Sequence, residues 1–90
     1  MPTIIKNMIL TAKIFNEKFS SLDASLQNAF NDFCNNLESA KESEILDTLS
    51  KGESLNVLTV LDFQGIKIYY SLSRNEQNHL NINFLDISRT

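Results

Sequence analysis

Ninety residues, 42% of them apolar, with one proline and two glycines, are enough for one domain and exclude a linker-rich or disordered chain. The formal charge is −3 and the pI about 4.9, with eight Lys and Arg spread along the chain. Any basic patch for a phosphate backbone must therefore be assembled by folding. The single cysteine, Cys34, excludes an internal disulfide, and one Cys with one His falls short of a zinc site unless several carboxylates converge on it. No metal and no cofactor is expected.

No run approaches the roughly 18–20 apolar residues that cross a bilayer. The opening MPTIIKNMILTAKIF is interrupted by Lys6 and Lys13, and no small-residue cleavage site follows. It does not read as a signal peptide, so a cytoplasmic protein without a membrane partner is expected.

Residues 3–10 are ambiguous. Thr3, Ile4 and Ile5 are β-branched and favour a strand. Met8, Ala12, Phe15, Phe19 and Leu22 recur at helical spacing. The reading is a short strand or extended lead-in, then a helix over about 11–20. Residues 22–38 are plainer. Leu22, Leu26, Phe30, Phe33 and Leu37 form one apolar stripe, while Gln27, Asn28, Asn31, Asp32, Asn35 and Asn36 fill much of the opposite face. This is an amphipathic helix, with Asp23 as its expected N-cap. Ser39 with Glu42 fits a capping box. A short helix with Ile45, Leu46 and Leu49 apolar, Lys51 in its last turn and Gly52 beyond it follows; a charged loop over 38–54 is the alternative.

From residue 55 the period changes to two. Residues 56–63 (NVLTVLDF) are mostly apolar, as in a strand covered on both faces or centrally placed. Asp62-Phe63-Gln64-Gly65 is a tight-turn signal. Ile66, Ile68, Tyr70 and Leu72 then alternate with Lys67, Tyr69 and Ser71. After the polar run 73–79, Leu80, Ile82 and Phe84 alternate with Asn81 and Asn83. Two such alternations joined by short turns predict an antiparallel meander. The expected fold is α+β: an N-terminal helical hairpin, alone or preceded by a short strand, packed on a C-terminal three-stranded antiparallel meander, all one domain over residues 1–90.

The chain has no Gly-rich phosphate loop, no G-x-S-x-G and no metal-ligand cluster. His79 lies in a polar connection and reads as solvated. Cys34 flanks an apolar stripe and reads as a small buried hydrophobe. Glu38, Glu42, Glu44, Asp47 and Glu53 form an acidic stretch, read as a solvated face or as a strip that binds a partner. The wetter meander face carries Lys67, Tyr69, Ser71, Asn81 and Asn83, with Thr59 beside them. Interleaved aromatic and cationic groups of this kind bind single-stranded nucleic acid, and they also occur on ordinary solvated sheets.

The stretch FNEKFSSLDASLQNAFNDFCNNLE resembles the helical hairpin of the RelE/ParE superfamily of bacterial toxins, and GIKIYYSLSRNEQNHLNINFLDISR resembles their sheet hairpin. The resemblance implies one half of a toxin–antitoxin pair, acting on mRNA at the ribosome or on gyrase, with an antitoxin or target protein as partner and RNA as a further ligand. In the nucleases of that superfamily, basic and aromatic side chains stabilise the scissile phosphate. By position Lys67 stands for the usual arginine, Tyr70 for the tyrosine and Arg89 for a C-terminal cation. Alternation sets Tyr69, rather than Tyr70, on the face of Lys67. Residues 56–63 carry no Lys or Arg, a lysine lacks the bidentate phosphate geometry of arginine, and the chain is acidic, so the residues leave the enzyme question open. The second reading is a non-enzymatic acidic interaction protein, an inhibitor or adaptor of the kind phages encode, whose Glu42, Glu44 and Asp47 meet a basic partner.

Overall fold

The computed structural model describes residues 7–50 and 55–89. Three helices and a four-stranded mixed sheet follow in the order β1 (Met8–Thr11), α1 (Lys13–Phe19), α2 (Ala24–Ser39), α3 (Glu42–Leu49), β2 (Thr59–Phe63), β3 (Ile66–Arg74) and β4 (Leu80–Arg89). The sheet order is β1-β4-β3-β2. The antiparallel meander is present, and β1 extends it by pairing parallel to β4 from Met8↔Asn81 to Thr11↔Phe84. The α+β class stands, with a mixed sheet in place of a three-stranded antiparallel one. Residues 3–6 lie outside the described set; at 8–11 the chain is strand, so Met8 leaves the helical stripe and α1 starts only at Lys13.

The alternating apolar residues decide which face the helices cover. Ile66, Ile68, Tyr70 and Leu72 of β3 and Leu80, Ile82 and Phe84 of β4 are all buried beneath them. Phe30 of α2 stands at the centre of that layer. Its ring lies 5.8 Å from Phe15, 5.6 Å from Phe19, 5.1 Å from Phe84 and 5.5 Å from Phe63, so one side chain joins α1, α2, β2 and β4. Aromatic pairs at such separations add to the burial of apolar surface.

The strict alternation of β4 would carry Asp86 into this core. A bulge prevents it. Tyr69 pairs with Asp86 but Tyr70 pairs with Phe84, so Leu85 is an extra residue, and the phase of β4 shifts until Ile87 faces inward. Asp86 is left to meet Lys18 of α1 at 2.8 Å.

Three local expectations change. The β2–β3 turn is a two-residue loop, Gln64-Gly65, with both φ positive (48° and 90°) and Phe63 opposite Ile66; Asp62 is a strand residue paired with Lys67. The strand expected at 56–63 to be central or doubly covered is an edge strand, shorter than expected, and Leu58 before it is 61% exposed. Helix α3 forms, but its N-cap is Lys41, and the Ser39 hydroxyl instead donates back to the Asn35 and Asn36 carbonyls. Lys51, Gly52 and Glu53 lie outside the described residues.

Helix ends are tied by side chains from elsewhere. Asp23 holds the N-cap position of α2 without a capping bond from its carboxylate. Gln27 Nε2, one turn on, donates to the Phe19, Ser20 and Leu22 carbonyls and closes the α1–α2 corner. At the other end of α2, buried Asn7 donates from Nδ2 to the Leu37 and Ala40 carbonyls at 2.9 and 2.8 Å, and its backbone N–H reaches the Glu38 carbonyl at 3.3 Å. The start of β1 thus satisfies carbonyls that a helix C-terminus leaves without partners.

Candidate functional site

The sheet face away from the helices carries the side chains that alternate with the core. Across the strands, Met8 and Asn81 stand with Ser73, Leu10 and Asn83 with Ser71, Asp86 with Tyr69 and Val60, and Ser88 with Lys67 and Asp62. Thr59 is not among them: it pairs with Tyr70 in the inward-facing register, and its hydroxyl bonds the Val57 carbonyl.

Lys67 is exposed and sits in register with the carboxylate of Asp62. Tyr69 lies half-buried beside it on the same face. Tyr70 does not join them. It is wholly buried, and its hydroxyl donates to the Leu49 carbonyl. Its phenol is pushed above its ordinary range by burial. Tyr70 is a core residue, and the aromatic next to Lys67 is Tyr69. Arg89 ends β4 in register with Ile66, and its side chain lies outside the described residues. Arg74, at the far end of β3, is about 23 Å from Lys67 by the rise of a strand and binds Glu42 instead. Arg74 therefore does not join Lys67, while Lys18 of α1 reaches Asp86, which pairs with Tyr69 on the same face.

Asn81 and Asn83, expected to face solvent or a partner, lie on this outer face but are half-buried. Asn83 Nδ2 donates to the Ser73 hydroxyl at 3.0 Å and to the Ser71 carbonyl and hydroxyl at 3.3 and 3.4 Å. The centre of the face is thus a lattice of short amide and hydroxyl side chains. Met8 and Leu10, 51% and 42% exposed, stand along the β1 side of it.

The second candidate surface is helical. Helices α2 and α3 carry Asp32, Glu38, Glu42, Glu44 and Asp47 and no Lys or Arg between their own ends; Ala40 and Lys41 separate them. Glu44 and Asp47 are exposed. Glu42 accepts a hydrogen bond from Arg74 Nη2, and this bond holds its carboxyl below the usual carboxylate range. Arg74 also donates to the Asn78 carbonyl at 3.1 Å, so Glu42 helps fix the β3–β4 connection. Of the three acids expected to bind a partner, Glu44 and Asp47 face solvent and Glu42 is partly committed to the fold. Between α2 and α3 lies an apolar hollow of about 140 Å³ with Glu44 on its wall, which the stripe pattern of either helix alone does not show.

The single thiol has no nucleophilic setting. Cys34 is half-buried, and its pKa is pushed up to about 12, first by burial and then by the Glu38 carboxylate. The His79 backbone bonds within the 75–79 loop, donating to Asn75 Oδ1 at 3.0 Å and accepting from the Asn75 N–H at 3.0 Å. Among the described residues, no group of His, Cys, Asp and Glu is placed to hold a metal ion, and no helix is long and apolar enough to cross a membrane. Comparison with known proteins finds no matching family model, curated protein or solved structure.

Proposed function

We propose that this chain is a non-catalytic binding protein whose α2–α3 surface takes a basic protein partner. The observation that carries this reading is the segregation of charge: five carboxylates and no cation within two neighbouring helices. Such a surface attracts cationic partners, accelerates their encounter and repels nucleic acid. The register of Lys67 with acidic Asp62 supports the same side, because phosphoryl chemistry needs positive charge concentrated where the phosphate becomes more anionic. Affinity capture from the source cell compares the wild-type chain with the triple variant Glu42→Gln, Glu44→Gln, Asp47→Asn. Basic proteins held by the wild type and lost by the variant support the proposal. Identical captures refute it.

A RelE/ParE-like toxin is the second reading, with Lys67 and Tyr69 as its sheet residues and Arg89 as its terminal cation. The order of elements favours it: an extended N-terminal segment, helices, then a meander. Induced expression that arrests growth and cleaves mRNA, with both effects lost in Lys67→Ala, would establish this reading against the first.

A further inference from the structure

Resting on the protein-binding reading, we infer that the hollow between α2 and α3 is the anchor of that surface and receives one aliphatic side chain from a basic amphipathic helix of the partner. Phe33, Leu37 and Ala40 of the α2 side and Ile45 of α3 make its apolar walls, and Glu44 and Thr48 stand beside them on α3. Ala40, at the corner where α2 ends, contributes only a methyl group to its wall. Its carbonyl and that of Leu37 are already held by Asn7, so the corner is pinned to β1. A volume of about 140 Å³ matches one Leu, Ile or Met side chain. Apolar anchors seated in such pockets dominate protein interfaces, with charged groups on the rim setting encounter and register.

The charge decides the occupant. Both helices are anionic, so a second copy of this chain would set like charges face to face, and a nucleic acid would be repelled. A helix with Lys or Arg one turn either side of an aliphatic residue places the apolar group in the hollow and the cations beside Glu44 and Asp47. The groove between two helices also suits a third helix, whose side-chain ridges pack between theirs.

The test is selection of a displayed library of helical peptides against the whole chain, followed by titration of the best peptide into the isotope-labelled protein. The expected result is a shared pattern of one aliphatic residue flanked by Lys or Arg, with amide shifts gathered around residues 33–48. Replacing the aliphatic residue of the peptide by Ala should weaken binding about tenfold, as should Thr48→Trp, which fills the hollow from its side. Ala40→Leu gives an independent filling variant if Thr48→Trp perturbs the fold. Shifts gathered on the outer sheet face around Met8, Leu10 and Tyr69 would overturn the groove and leave the binding-protein reading intact. Selection of acidic peptides, or of none, would overturn both.

Discussion

The Tyr70 hydroxyl donates a hydrogen bond to the carbonyl of Leu49, joining the middle of β3 to the last residue of α3 across 21 residues of sequence. Both groups are buried, and Leu49 is the last residue of its helix. Tyr70→Phe keeps the ring and removes the donor. It should cost about 1–3 kcal/mol, the loss of one buried hydrogen bond, measured by urea unfolding. An unchanged midpoint would show that the bond contributes nothing net.

The same bond predicts an alkaline limit. Burial raises the pKa of Tyr70 above its ordinary value of 10.0, so the folded chain favours the neutral phenol more than the unfolded chain does. Its contribution is complete below the ordinary value and is lost as pH rises through the folded one. Wild-type stability should fall above about pH 10 more steeply than that of Tyr70→Phe. Parallel pH curves would contradict this.

Asn7 and α2 form the corresponding lock at the other edge. Asn7→Ala removes the side-chain donor to the Leu37 and Ala40 carbonyls, leaving Leu37 only the Ala40 N–H at 3.3 Å, and should cost about 1–3 kcal/mol. Asn7→Asp should cost more, because it also sets a negative charge against the negative end of the α2 dipole. Amide exchange around residues 37–41 should quicken in both variants. Equal protection in wild type and variants would place the helix end under some other control.

Phe30→Ala should cost about 3–5 kcal/mol, since its ring fills the junction of α1, α2, β2 and β4. Phe33→Ala should cost less, because Phe33 is only half-buried. Thermal melts of the two variants check the order. A Phe33 loss equal to or larger than the Phe30 loss would move the centre of the core.

Cys34 should react slowly. With its pKa near 12, its thiolate is about a thousandfold scarcer at neutral pH than that of an ordinary cysteine, and alkylation should slow in proportion. Labelling of the folded chain at the rate of free cysteine would contradict the placement.

Local pattern made α2, β3 and β4 legible, because one face of each element is buried and the apolar spacing records it. Tyr70 falls with Ile66 and Ile68 in that spacing, which is why its burial could be anticipated against the position the toxin resemblance gives it. Pairing between distant segments leaves no such record. Met8–Thr11 has the composition of a helix start as much as of a strand, and only its parallel pairing with β4 decides the matter. The bulge at Leu85 is visible only as a change of phase, from Phe84 to Ile87, and strict alternation reads through it. The apolar run at 56–63 reflects contact with the helices on one face of an edge strand, so apolar content alone overstated its cover. The acidic stretch was legible as charge. The hollow beside it was not, because it exists only between two helices.

Stopped-flow association of the chain with its captured basic partner, followed over a range of salt concentrations, separates an acidic docking surface from a merely solvated one. Glu42→Gln, Glu44→Gln, Asp47→Asn should slow association about tenfold at low salt and flatten its salt dependence, while far-UV circular dichroism stays that of the wild type. Equal rates and equal salt slopes for the two proteins would contradict the docking surface.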